Sequence, residues 1–562
     1  MFSETWIRSA AVLQRQWQVP LTARMGRKAK FHACTSAFVG DRSILEADVN
    51  AVLCLAGAGI AGGLLWVANG RGEPPPSPFD KSVPLQNWSG TQQVTTKRLF
   101  APESQEELRQ LVAWASKAKQ KLRPLGTGLS PNGLAQERGG MLSMVHLDKV
   151  LKVDVEKMTI TVEGGTTVST ILDELKKHGM TLANFSSITE QQIGGWTQVA
   201  AHGTGARIPT VDEMILRMKL VTPGKGELEL SADGPHAELF RLARVGLGSL
   251  GIVSEVTLQC VPQYVLHERT YTTNVDQLRK DHAKLLQNYR HVRYMWIPYT
   301  DTVVVVVSDV AKPGATIEHS GIAEKERVRP LQDLLKQLQP NCGDLDGQNF
   351  AQLREKLLVI DPLNPEHVAR VNAAEAEFWK LSSGERIANS TEILGFECGG
   401  VQWVLENCFP AGKLESPSLA DIDYVTEMKQ IIERERIPAA SPIEQRWTSR
   451  SSSPMSPAFS DKSDDFFSWV GVILYITDEG RAPQIKHCFK DYAIRHADLT
   501  FKYNGTMHWG KLDLNFHEGG RRKALQENMR RRFNVEAFLN AKQELDPQNI
   551  LSNTLINEAL VR

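Results

Sequence analysis

Beyond residue 100 the chain alternates between two hydrophobic periods. In residues 103–121, Leu108, Leu111, Val112 and Ala115 recur at helical spacing. They predict an amphipathic helix with Pro102 at its start and Ser104 as its cap. Short strands are predicted at 121–125, 151–155 and 158–163, then a helix at 168–178 closed by Gly179. Residues 218–222 and 227–231 read as a hairpin around Pro223-Gly-Lys-Gly226. A short helix at 239–244 and a strand at 252–261 follow. After residue 262 the character changes. The valine run at 302–308 predicts a strand buried on both faces. Helices are predicted at 330–339 and 364–380, a Ser/Pro loop at 449–457, a strand at 469–477, and one helix at 524–543 ahead of Asp546-Pro547. Short strands mixed irregularly with helices define an α+β chain. No internal repeat is present.

The first 70 residues have a different pattern. Residues 1–40 carry Arg8, Arg15, Arg24, Arg27, Lys28 and Lys30 against one acid, Glu4. That is the composition of a mitochondrial targeting leader; the plain alternative is a disordered basic tail. Residues 51–68 contain no charge and end near Trp66. As a helix they would span about 27 Å, enough for a membrane or sorting segment. This stretch contains Gly57-x-Gly59-x-x-Gly62, which matches a dinucleotide fingerprint. A basic leader precedes it and a Pro-rich linker follows, so the strand and helix that the fingerprint needs are missing.

Composition excludes some classes. Lys+Arg and Asp+Glu both number 65, so no global field favours nucleic acid. The seven cysteines (Cys34, Cys54, Cys260, Cys342, Cys398, Cys408 and Cys488) form no disulfide framework, and no C-x-x-C pair supports a metal site.

Three glycine-rich stretches carry the chemistry. They are Arg123-Pro124-Leu-Gly126-Thr127-Gly128-Leu129-Ser130-Pro-Asn132, then Ile193-Gly194-Gly195-Trp-Thr-Gln-Val-Ala-Ala201-His202-Gly203-Thr204-Gly205, then residues 246–255 with Ile252 and Val253. Glycine lets backbone N–H groups approach a diphosphate, and the hydroxyls of Thr127, Ser130 and Thr204 can donate to its oxygens. Three such stretches in this order are far more specific than one. Further along, Glu444 and Arg446 alternate in an extended Pro442-Ile-Glu-Gln-Arg segment, so both side chains share one face. Taken alone, that is an exposed strand ion pair.

In wording and order these stretches resemble the flavin domain of the vanillyl-alcohol-oxidase superfamily. Asn87-Trp-Ser-Gly-Thr91, Asn184-Phe-Ser-Ser-Ile188, residues 297–305, residues 393–400, Pro442-Ile-Glu-Gln-Arg-Trp447, Ser456-Pro-Ala-Phe459 and His508-Trp509 are similar to its aldonolactone oxidoreductase branch, above all to plant mitochondrial members. The resemblance covers residue 86 to the end. It implies a two-domain flavoprotein that oxidises L-galactono-1,4-lactone to ascorbate and passes electrons to cytochrome c. It also implies placement at the inner mitochondrial membrane, facing the intermembrane space. An aldonolactone oxidase using O2, and a scaffold for respiratory complex I or its assembly intermediates, are the alternatives.

The same resemblance implies residue roles. The loop at 126–132 binds the FAD pyrophosphate. Ser186, Ser187, Ile188 and the second and third stretches complete the cofactor site. Many relatives have a flavin-linked His where Leu129 stands; leucine has no nucleophilic nitrogen, so the FAD is non-covalent. Ser186 stands where oxygen access is controlled, and its bulk implies poor oxygen use. Glu444 and Arg446 take the substrate positions: a carboxylate to orient or deprotonate the hydroxyl, a guanidinium to hold lactone oxygens. Lys511 brings positive charge to the flavin, and His202 is structural. Cys398 is a redox-sensitive thiol near the substrate; otherwise it is a small buried hydrophobe. The implied organisation is a leader (1–47), hydrophobic segment (48–70), linker (71–85), FAD-binding domain (86–262), substrate domain (263–495) and a C-terminal segment (496–562) returning to the flavin. Acid precipitation of the purified protein is expected to release all the yellow colour into the supernatant. Flavin retained on the pellet would overturn the non-covalent assignment.

Overall fold

The computed structural model describes residues 82–317, 321–396 and 401–560. These lie in one unit, Lys81–Arg562. The leader, the hydrophobic segment, most of the linker and Cys398 lie outside the described residues. Among the described residues no helix is long and apolar enough to cross a membrane. Folded chain starts earlier than expected, because Val83–Gln86 pairs with Gln93–Thr96 as an antiparallel strand. Val83 and Leu85 point inward and Pro84 and Gln86 outward, a strand period hidden in a Pro/Ser-rich stretch.

The first half holds two sheets. Leu99–Phe100, Met141–Ser143 and Arg123–Leu125 form a small parallel sheet. The helix Gln105–Ala118 runs between its strands, and the Ser104 hydroxyl accepts from the Glu107 N–H as predicted. An antiparallel sheet follows, in the order Gly226–Ser231, Ile215–Thr222, Ile252–Gln259, Thr159–Glu163, Val150–Asp154. The predicted hairpin is its first pair, with Gly226 opposite Thr222. The second glycine-rich stretch is more ordered than a loop: Ile193–Gln198 is a short helix.

The second half is built on a nine-stranded antiparallel sheet. Its path runs Gly384–Asn389, Val265–Thr273, Val303–Val310, His291–Trp296, Ile443–Ser449, Asp465–Tyr475, Gln402–Lys413, Ser416–Pro417, and Thr506–Met507 joins at Gln402–Lys413. Val303, Val304, Val305, Val306 and Val307 are all buried, as the valine run predicts. One face packs under the helices Val275–Asn288, Ala420–Glu435 and Ala482–Lys502. Tyr294, Trp296, Val305 and Trp447 from the sheet meet Leu286, Ile422, Met428 and Phe489 there in one apolar cluster. By strand alternation the opposite face carries Arg293, Glu444, Arg446, Trp469 and Glu406. The mixed architecture with two such bodies agrees with the predicted α+β, two-domain class.

Two C-terminal expectations change. The boundary at 495/496 falls inside the helix Ala482–Lys502. The single helix at 524–543 is two, Gly520–Arg532 and Val535–Leu545. Buried Phe533 breaks out of the first to stack on Trp509, with ring centroids 4.9 Å apart. Asn534 then caps the second, its side chain accepting from the Ala537 N–H. Beyond Lys502 the chain returns to the first half: Trp509, Leu525, Met529, Phe538 and Ile556 share a core with Ile160, Val168 and Val256. Asn534→Ala is expected to cost about 1 kcal/mol through loss of this cap, read as a lower urea midpoint. An unchanged midpoint would mean that the Phe533 stack alone sets the break.

Candidate active site

The first glycine-rich stretch leaves the strand Arg123–Leu125 and crosses the top of the small sheet. Among the described residues, the backbone N–H groups of Thr127, Gly128, Leu129 and Ser130 meet no protein acceptor. Gly128 is left-handed (φ +70°) and has no atom within 4 Å of where a Cβ would stand. Gly195 likewise faces open space. Beside Gly126, the buried Gln192 Oε1 has no hydrogen-bond partner. Free donors and absent side chains suit a diphosphate, which only accepts; the orphaned Gln192 oxygen suits a donor elsewhere on such a ligand.

Other predicted cofactor residues make contacts that brace the loops. Arg123 is buried, and its guanidinium donates to the carbonyls of Leu134, Leu247, Gly248 and Leu551. Burial pushes its pKa down to about 9. It ties the first and third glycine-rich stretches to the C-terminus. Pro124 packs where a Gly248 side chain would stand. Asn132 donates to the Trp509 and Leu512 carbonyls, both at 2.8 Å, so it fixes the turn that carries Lys511. Ile252 and Val253 are buried in apolar clusters. Gly194 donates its N–H to the Gly164 carbonyl at 2.8 Å, and the Ala201 carbonyl accepts from Val211.

The second stretch connects the two halves. A Cβ on Gly203 would stand 2.1 Å from Asn184 Oδ1, so only glycine lets these segments cross. The Thr204 hydroxyl, predicted for phosphate, donates instead to the Val292 carbonyl of the large sheet. Gly205 donates its N–H to the Trp447 carbonyl at 2.7 Å. Ser186 is held by three neighbours: it donates to Gln191 Oε1 (2.5 Å), lies 3.4 Å from the Ile188 carbonyl, and accepts from Trp196 Nε1 (2.8 Å). The Ser187 carbonyl accepts from the Phe396 N–H at 3.1 Å.

Glu444 and Arg446 do share one face of the strand Ile443–Ser449, with Nε and Oε2 3.4 Å apart. The pair is no exposed ornament, because Arg446 is buried. Its guanidinium donates at 2.6 Å to Glu406, on the strand Gln402–Lys413. Lys511 reaches the other oxygen of Glu406 at 2.6 Å, and His202 Nε2 stands 3.2 Å from it. Sequence reasoning missed Glu406; the available signal was a lone acid inside the apolar run Val404-Leu-Glu-Asn-Cys-Phe409. Burial alone would raise the Glu406 pKa, but Lys511, Arg446 and His202 outweigh it and hold the carboxyl well below its usual range. Burial lowers the His202 pKa, and the ring stacks on Trp469 with centroids 3.8 Å apart. Among the described residues, His202, Glu406 and His508 offer ligand atoms within 4.8 Å of one another. Two cations already neutralise that carboxylate, so a third would meet repulsion.

Lys511, next to Gly510 whose Cβ position lies 3.4 Å from Ser130 Oγ, joins the glycine-rich loop to the strand face of Glu444 and Arg446. With the FAD binding domain family matched at residues 96–231, this makes the chain a two-domain FAD-binding oxidoreductase. The fold is similar to cholesterol oxidase from B. sterolicum, with a TM-score of 0.67 at 17% identity over 87% of this chain and 99% of that one. Residues 256–559 match the D-arabinono-1,4-lactone oxidase family. The sequence is 47% identical over 493 residues to the mitochondrial L-galactono-1,4-lactone dehydrogenase of Brassica oleracea, covering 84% of this chain and 82% of that one. Against one rice counterpart it is 45% identical over 509 residues, covering 86% of this chain and 87% of that one. Bovine L-gulonolactone oxidase is 28% identical, over 85% of this chain and 98% of its own. The chain belongs to the L-galactono-1,4-lactone dehydrogenase family.

Because the folded Glu406 pKa is depressed, its contribution to stability is complete above the ordinary carboxylate value of 4.5. It is lost as pH falls through the lower folded value. Glu406→Gln is expected to cost about 3 kcal/mol at neutral pH, since it strands buried Arg446 beside part-buried Lys511. It should also flatten the loss of stability below pH 4.5. Parallel wild-type and variant stability curves against pH would remove Glu406 from this role.

Proposed function

We propose that the protein is an FAD-dependent dehydrogenase that oxidises L-galactono-1,4-lactone to L-ascorbate and passes the electrons to cytochrome c. The observation that carries this reading is the buried Arg446 beside half-buried Glu444, in a chain 47% identical to a dehydrogenase of that name. Bound FAD supplies the two-electron acceptor. Thr127, Gly128, Leu129 and Ser130 would hold its diphosphate through free N–H groups and hydroxyls, with Gly126 and Gly195 sparing the space a side chain would take. Leu129 leaves the flavin non-covalent.

Arg446 is held from behind by Glu406, so its guanidinium plane is fixed before substrate arrives. It donates to the lactone oxygens and orients the ring. Glu444 is the more exposed of the pair and takes the hydroxyl proton as the carbon gives up its hydride. The keto-lactone then tautomerises to the enediol of ascorbate. Lys511 sets a positive charge where negative charge develops. Ser186, fixed by Gln191 and Trp196, fills space with a hydroxyl that is already engaged, which limits oxygen use. The FAD-binding domain spans 83–262, the substrate domain begins at 263, and the C-terminal return begins after Lys502. We place the protein at the inner mitochondrial membrane with its catalytic part facing the intermembrane space. There it meets cytochrome c and, as the resemblance implies, respiratory complex I or its assembly intermediates.

The gulonolactone oxidases among its relatives favour one second reading, an oxidase that uses O2. Anaerobic bleaching of the flavin by L-galactono-1,4-lactone, followed by cytochrome c or air, separates the two. Fast recovery with cytochrome c and slow recovery in air are expected; fast recovery in air would make it an oxidase. No bleaching would sink the assigned substrate. Arg446→Ala is expected to lower kcat roughly 10²–10³-fold with normal flavin content, and near-wild-type turnover would remove its role.

A further inference from the structure

We propose that the cavity walled by Asn184, Glu268, His291, Arg293 and Ser308 is the subsite for the exocyclic hydroxyls of the aldonolactone, with His291 Nε2 as its acceptor. The proposal rests on the lactone-oxidising reading above.

The cavity is small, about 30 Å³, room for one or two hydroxyl-sized groups, and Arg446 forms one of its walls. Its floor is the same sheet face that presents Glu444 and Arg446. Arg293 lies directly across from Arg446, and His291 lies across from Ser308, which in turn faces Glu268. His291 and Arg293 are two residues apart on one strand, so their side chains rise on the same face roughly 7 Å apart. A lactone ring held by Arg446 would therefore extend its tail along this row.

His291 supplies the independent sign of a ligand. The ring is 2% exposed. Its Nδ1 is 2.6 Å from the Thr204 carbonyl, which can only accept, so Nδ1 carries the proton. Burial pushes the His291 pKa down to about 4, so the ring is neutral near pH 7. Nε2 is then a bare lone pair, and it is buried with no hydrogen-bond partner. An orphaned acceptor of this kind is costly unless a donor arrives. The neighbouring walls narrow the choice of donor. Arg293, 4.2 Å from the Phe396 ring centroid and 3.7 Å from Glu444, disfavours a cation and offers N–H donors. Glu268, already engaged by Arg386 at 2.6 Å, disfavours a carboxylate. Vicinal hydroxyls, which donate and accept without charge, match all three walls.

The test compares L-galactono-1,4-lactone with the threono-1,4-lactone of the same ring configuration, which keeps both ring hydroxyls and lacks the exocyclic diol. KM and kcat are measured for wild type, His291→Phe, His291→Asn and Ser308→Val, with flavin content and thermal midpoint as checks on folding. His291→Phe is expected to raise KM for the full lactone about tenfold more than for the truncated one, mainly through KM rather than kcat. His291→Asn, which keeps an acceptor, should recover part of that discrimination. Ser308→Val should shift the ratio in the same direction even if His291→Phe misfolds. Equal losses on both lactones, or no loss in any folded variant while wild type is reduced by L-galactono-1,4-lactone, would overturn the subsite alone. Failure of wild type to be reduced by either lactone would remove the proposed activity and the subsite together.

Discussion

A single buried carboxylate fixes the geometry on which the rest of the site depends. Glu406 is 1% exposed and receives Arg446, Lys511 and His202 from three separate parts of the chain. Removing a charge of this kind from water costs several kcal/mol, and only close opposite charges repay it. The arrangement is therefore all or nothing. The large sheet supplies Glu406 and Arg446, the second glycine-rich stretch supplies His202, and the C-terminal turn supplies Lys511. When these converge, two cations stand side by side at a defined spacing. Without the carboxylate they would repel one another.

The strand Ile443–Ser449 is also held from its other side. Gln445 and Trp447 point away from the site and both engage Asp421, through the backbone carbonyl and the carboxylate respectively. His282 completes that buried cluster at 2.9 Å. Where the strand ends, Ser451, Ser452 and Ser453 hydrogen-bond Asp212 and Glu213 of the first half. The strand is thus gripped on its back face and at its exit. A one-residue slip would exchange Arg446 for an apolar or amide neighbour, and every one of these contacts opposes it.

Much of this was legible in the sequence, for specific reasons. The helix capped by Ser104, the hairpin at Pro223, and the valine strand rest on local period and turn chemistry. Glu444 and Arg446 were visible as an alternating pair, and the glycine-rich stretches by their spacing. What was hidden depends on partners distant in sequence. Glu406 needs Lys511, 105 residues on, before it reads as anything but a misplaced acid. Arg123 and Asn132 read as cofactor residues from their place in the first glycine-rich stretch; only the fold shows their hydrogen bonds to Leu551 and Trp509. The helix break at Phe533 came from a tertiary stack, which no local propensity encodes.

The return of the C-terminus has a consequence for how the protein is made. Asn553 donates to the carbonyls of Gly133, Leu134 and Gln136, and Leu122 donates to the Ile550 carbonyl. The loop that opens the cofactor cradle is thereby braced by residues translated more than four hundred positions later. A ribosome would have to release nearly the whole chain before that loop is fully supported. Loss of Asn553 would therefore act on the loop at residues 133–136, at the opposite end of the protein.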